Sequence, residues 1–89
     1  MNSPAWEVVI ETSAKKGWAE LSLTLQETVR QELVREPRLD PSKPKARRHL
    51  KGRHDCNWEY RDLPHGKRIY YSVDDGCREL AIYYCGKHP

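Results

Sequence analysis

The sequence predicts a small α+β domain. Two observations carry the prediction. Apolar residues recur at helical spacing only between residues 14 and 34, and they alternate at period two before and after that stretch. Turn signals, Pro64-His65-Gly66 and Asp74-Asp75-Gly76, divide the later alternation into three strands. The expected order is β-α-α-β-β-β, giving a sheet of about four strands, mostly antiparallel, with an N-terminal helical hairpin packed on one face.

The first strand is expected over residues 5–11, where Trp6, Val8 and Ile10 share a face. Thr12 or Ser13 is placed to cap a first helix over residues 14–21, which sets Trp18 and Leu21 one turn apart. Gly17 weakens that helix. Thr24 and Glu27 have the spacing of a capping box, which favours a second helix over residues 25–34 against one continuous helix over 14–36. Leu25, Val29 and Leu33 form its apolar stripe, and Pro37 stops it. Residues 38–44, with Pro41 and Pro44, read as an irregular connector, and residues 45–51 as a single helical turn ended by Gly52. Three strands follow, over 57–63, 67–73 and 78–85.

Eighty-nine residues make a single domain, 1–89, and 37% hydrophobic residues with a mean hydropathy of -0.94 leave room for one modest core. Sixteen Lys and Arg against 13 Asp and Glu give a net charge of only +3, so distribution says more than total. Lys43, Lys45, Arg47, Arg48, Lys51 and Arg53 lie in one stretch without an acid. Such a run is either a solvated loop or a surface for a polyanion. No apolar run of membrane length, amphipathic basic helix or signal peptide accompanies it, so a membrane partner is not expected and the cytoplasm is. Three cysteines in no framework spacing read as free thiols of a reducing compartment. A zinc site from Cys77, Cys85 and two histidines lacks paired ligand spacing, and no metal or other cofactor is expected.

Period-two parity places Trp58, Tyr60, Ile69, Tyr71, Val73, Leu80, Ile82 and Tyr84 on the core face. It places Glu59, Arg61, Arg68, Tyr70, Ser72, Glu79, Ala81, Tyr83 and Cys85 on the open face. Even-length loops then bring Arg61, Arg68, Tyr70 and Tyr83 within about two residues of one another, provided that no bulge intervenes. Guanidinium and phenol groups on an open sheet face suit an anion. For both arginines the plain alternative is a surface ion pair with Glu59 or Glu79.

With these residues in view, the chain resembles the RelE/ParE superfamily of toxins over nearly its whole length. The resemblance rests on Leu50-Lys51-Gly52, Trp58-Glu59-Tyr60-Arg61, Gly66-Lys67-Arg68-Ile69-Tyr70-Tyr71, Val73-Asp74 and Gly86-Lys87-His88, in that order. It implies a toxin of a type II toxin–antitoxin system, neutralised by a cognate antitoxin that also brings it to operator DNA. RelE-like members are ribosome-dependent endoribonucleases that cut messenger RNA by attack of a ribose 2′-hydroxyl on the adjacent phosphate, without a metal. ParE-like members inhibit DNA gyrase instead, and a degenerate antitoxin-binding module is a third reading. On the nuclease reading Arg68 matches the family's strand arginine, Arg61 is the second cation, and His88 matches the terminal histidine of the YoeB-like branch. A histidine suits proton transfer near neutral pH. His54 and Glu59 are weaker candidates for the base. Lys51, Arg53, His54 and Lys87 are expected to contact RNA phosphates, and Tyr70 and Tyr83 to stack on bases. The pattern departs from many family nucleases in having no aromatic residue after the last strand.

Overall fold

A computed structural model describes residues 6–38, 47–49 and 57–87. The elements are β1 (Glu7–Ile10), α1 (Thr12–Ala19), α2 (Leu23–Arg35), β2 (Arg47–His49), β3 (Asn57–Tyr60), β4 (Lys67–Asp74) and β5 (Glu79–Lys87). They build one five-stranded sheet in the order β1-β5-β4-β3-β2. Among the described residues only β1 and β5 pair in parallel; the other neighbours are antiparallel. This is the expected α+β architecture with one additional strand. The single helical turn expected over residues 45–51 is corrected at Arg47–His49. These residues are extended and pair with β3, setting Arg48 opposite Glu59. The outer edge of β3 offers unpaired backbone donors and acceptors, and their satisfaction outweighs a weak local helical preference.

The helices begin earlier than the sequence pattern places them. Glu11 rather than Thr12 or Ser13 is the N-cap of α1, and Ser13 Oγ donates instead to Tyr83 O of β5 at 2.6 Å. The N-cap of α2 is Ser22, whose Oγ accepts from Leu25 N at 3.1 Å, so the expected Thr24–Glu27 capping box does not start this helix. Ser22 has the extended backbone that a cap requires, and Thr24 is already inside the helix. The two-helix reading holds. Gln26 closes the hairpin by donating from Nε2 to Trp18 O at 3.0 Å and Leu21 O at 3.2 Å.

The core lies between the helices and one face of the sheet. Ala14, Trp18, Leu21, Val29 and Leu33 meet Tyr60, Ile69, Tyr71, Val73, Leu80, Ile82 and Cys85. Two phenols satisfy polar groups at its margin: Tyr60 Oη donates to Glu32 Oε2 at 2.9 Å, and Tyr71 Oη donates to Pro37 O. Gly17 is a packing residue rather than a weak point. A Cβ there would lie 1.8 Å from Cys85 O, so only glycine lets α1 approach β5 this closely.

One irregularity reorganises the last strand. The register runs Tyr71↔Ile82 on one side and Tyr70↔Tyr84 on the other, so Tyr83 is an extra residue, a β-bulge. Beyond it the parity flips. Cys85 turns into the core at 7% exposure opposite Ile69, and Tyr84 pairs with Tyr70 on the open face. The sequence-based faces of Tyr84 and Cys85 are therefore exchanged. Burial pushes the Cys85 thiol above its ordinary pKa, which keeps it protonated in the core. At the far end of the sheet the Asp74 carboxylate accepts from Gly76 N at 2.9 Å and Cys77 N at 3.2 Å. These bonds close the turn into β5; the Cys77 side chain first, and then the two backbone bonds, hold the Asp74 carboxyl below its ordinary pKa.

Candidate nucleic-acid interface

The open face is assembled by β3, β4 and the bulged end of β5. Glu59 stands opposite Tyr70, and Tyr70 opposite Tyr84, so one row runs across the three strands. The next row toward the chain end contains Arg68, opposite Gly86. Continuing the β3–β4 register past Tyr60↔Ile69 brings Arg61 level with Arg68. This is the arrangement that the longer of the two parity-allowed loops demands. The loop contains a 3-10 turn, Pro64–Gly66, with His65 and Gly66 in the left-handed region.

A carboxylate joins the two arginines. Arg61 Nε lies 3.7 Å from Glu59 Oε1, and Arg68 Nε lies 3.8 Å from Glu59 Oε2. Glu59 is almost completely buried, at 4% exposure, whereas the Arg61 and Arg68 side chains keep 39% and 20%. Burying a carboxylate is costly unless cations compensate it, and among the described residues two do. The triad retains one net positive charge. Both contacts go through Nε, the inner nitrogen of the guanidinium, and Arg68 Nη1 is 3.4 Å from Lys67 O. The ion-pair alternative for both arginines is thus realised, with Glu59 as the shared partner.

The tyrosines form a tilted cluster beside this triad. The Tyr70 ring centroid is 5.2 Å from that of Tyr84 and 6.4 Å from that of Tyr83. Tyr70 is 9% exposed, while Tyr83 and Tyr84 remain partly open. Tyr84 Oη donates to Lys87 O, which lays the phenol along Gly86. Tyr84 is the residue that parity reasoning missed, because a bulge carries no compositional mark here. Lys87 ends β5 opposite Lys67, so two cations share the last rung. Lys51, Arg53, His54 and His88 lie outside the described residues. Among the described residues no group of His, Cys, Asp and Glu is arranged to hold a metal ion, and no helix is long and apolar enough to cross a membrane.

No family model and no curated protein matches the sequence. Solved structures do match the fold, among them toxins of the RelE, YoeB and ParE type. A chain of the intact RelBE toxin–antitoxin complex of E. coli superposes with a TM-score of 0.69 at 23% identity, over 96% of this chain and 99% of that one. The YoeB/ParE toxin from Agrobacterium tumefaciens gives 0.68 at 20% identity, over 93% and 99%. A chain of the RelBE2 toxin–antitoxin complex from Mycobacterium tuberculosis gives 0.65 at 18% identity, over 96% and 100%. The chain has the RelE/ParE fold, as the sequence resemblance implies.

Proposed function

We propose that this protein is the toxin of a type II toxin–antitoxin pair and acts as a ribosome-dependent messenger endoribonuclease. The observation that carries the reading is the pair of arginines set level on the open face of a RelE/ParE-fold sheet. The reaction needs fixed positive charge where the pentacoordinate phosphorane gathers negative charge. Arg68 and Arg61 supply it, and their planar forks match paired phosphate oxygens. His88 follows β5 directly in sequence and is assigned one of the two proton transfers, from the 2′-hydroxyl or to the departing 5′-oxygen, a second group serving the other. Lys51, Arg53, His54 and Lys87 hold the messenger and ribosomal RNA backbone, so binding weakens with salt. Tyr83 presents its partly open ring to a base, beside the tilted ring of Tyr70. The ribosome supplies substrate orientation. The partners are a cognate antitoxin, the ribosome with its messenger and, through the antitoxin, operator DNA, all in the cytoplasm.

The test is induction without antitoxin, followed by mapping of messenger 5′ ends. New ends inside codons are expected for the wild type. Arg68→Ala is expected to cut about 10²–10³-fold more slowly, the usual loss when one transition-state charge partner is removed. His88→Ala should also be impaired. Growth arrest with intact messages and DNA damage signalling would replace this reading with gyrase inhibition, and no growth effect would leave an antitoxin-binding module.

A further inference from the structure

We propose that Glu59 is the positioning residue of the arginine pair: its buried carboxylate sets Arg61 and Arg68 side by side and weakens their hold on ground-state phosphate. The nuclease role of the pair rests on the function proposed above; the clamp itself rests on geometry. Glu59 projects from the middle of the open face at 4% exposure, and its two oxygens are divided between two guanidiniums, Oε1 toward Arg61 at 3.7 Å and Oε2 toward Arg68 at 3.8 Å. Arg68 Nε is itself buried and makes no hydrogen bond to the described residues, among which Glu59 is the carboxylate paired with it. Glu59 is fixed in turn by its place in the ladder, between Arg48 of β2 and Tyr70 of β4. An arginine side chain has considerable rotamer freedom, and two neighbouring guanidiniums repel. A carboxylate between them restrains both. The same charge opposes binding of another anion. Glu59 therefore exchanges electrostatic affinity, for phosphodiester and phosphorane alike, for a fixed orientation of both guanidiniums, and that orientation is what serves the in-line reaction.

Glu59→Gln keeps the shape and removes the charge. With ribosomes programmed with a short messenger, single-turnover cleavage should slow by about 10–100-fold, the scale of a misplaced catalytic group. The half-saturating ribosome concentration should fall by about threefold, the scale of one partly screened ion pair. A merely structural role would not tighten binding while slowing cleavage. An unchanged rate, or weaker binding with a slower rate, overturns the proposal. The second measurement is independent of cleavage. Nitrogen-15 NMR of the Arg Nε–H groups should show both Arg61 and Arg68 signals shifted and exchanging faster in Glu59→Gln. Arg61→Ala, a half-exposed site, should shift the Arg68 signal through Glu59. Unmoved signals overturn the clamp. Shifted signals in a protein that cuts no programmed messenger would uphold the clamp and reject the nuclease reading instead.

Discussion

The two faces of this sheet obey different rules. The helix-covered face is dry and close-packed: Ile69, Tyr71, Leu80 and Ile82 have no exposed surface, and Gly17 lets backbone meet backbone. The open face is built of charge and phenol. Its most buried member, Glu59, is compensated by cations, and its arginines stay partly in solvent. The first face resists change because any altered volume is felt by its neighbours. The second tolerates loss of packing but not loss of charge pattern. The bulge at Tyr83 is where the two exchange residues, sending Cys85 inward and Tyr84 outward.

The contrast can be broken most severely from the dry side. Ile82→Ala should cost about 2–5 kcal/mol, because the cavity it leaves is lined by residues that cannot all collapse into it. Chemical denaturation would register this as a lower midpoint with an unchanged slope. Gly17→Ala comes next. The added methyl would sit 1.8 Å from Cys85 O, so α1 must lift from β5, at about 1–3 kcal/mol, against the modest gain alanine usually brings inside a helix. Stabilisation by Gly17→Ala in a thermal melt would contradict the close approach. Tyr60→Phe tests a place where the helix-covered face holds a carboxylate. Losing the 2.9 Å bond to Glu32 should cost about 1 kcal/mol and leave the fold intact by far-UV circular dichroism.

The smallest effect belongs to the turn that feeds β5. The folded Asp74 carboxyl lies below its ordinary value of 3.8, so its stabilisation is present above that pH and is lost as the pH falls through the lower folded value. Replacement by Asn should flatten the acid limb of a stability–pH curve only slightly, since the group is fully exposed. A large change would show that the turn is coupled to the core.

Much of this architecture is legible in the residues. Alternation at Trp6, Val8 and Ile10 marks β1, the stripe of Val29 and Leu33 marks α2, and Asp74-Asp75-Gly76 marks the last hairpin, because each reflects a local period or a turn preference. The association of Arg61 with Arg68 is legible too, since parity survives an even loop. Ser22 was hidden as a cap because several nearby residues have equal capping chemistry and only backbone geometry chooses among them. Strand β2 was hidden because Arg47–His49 has no alternation, and pairing with an open edge is a property of β3.

By itself, then, the sequence determined the order of elements, the composition of each face up to the bulge, and the row of cations and phenols available to an anion. Only the tertiary structure decided that Glu59 stands between the two arginines, that Gly17 is a contact and that Tyr84 changes sides. Periodicity is a local rule, read from neighbours along the chain. Ion pairs, close approaches and bulges depend on the strand that lies alongside, and no spacing in the sequence reports it.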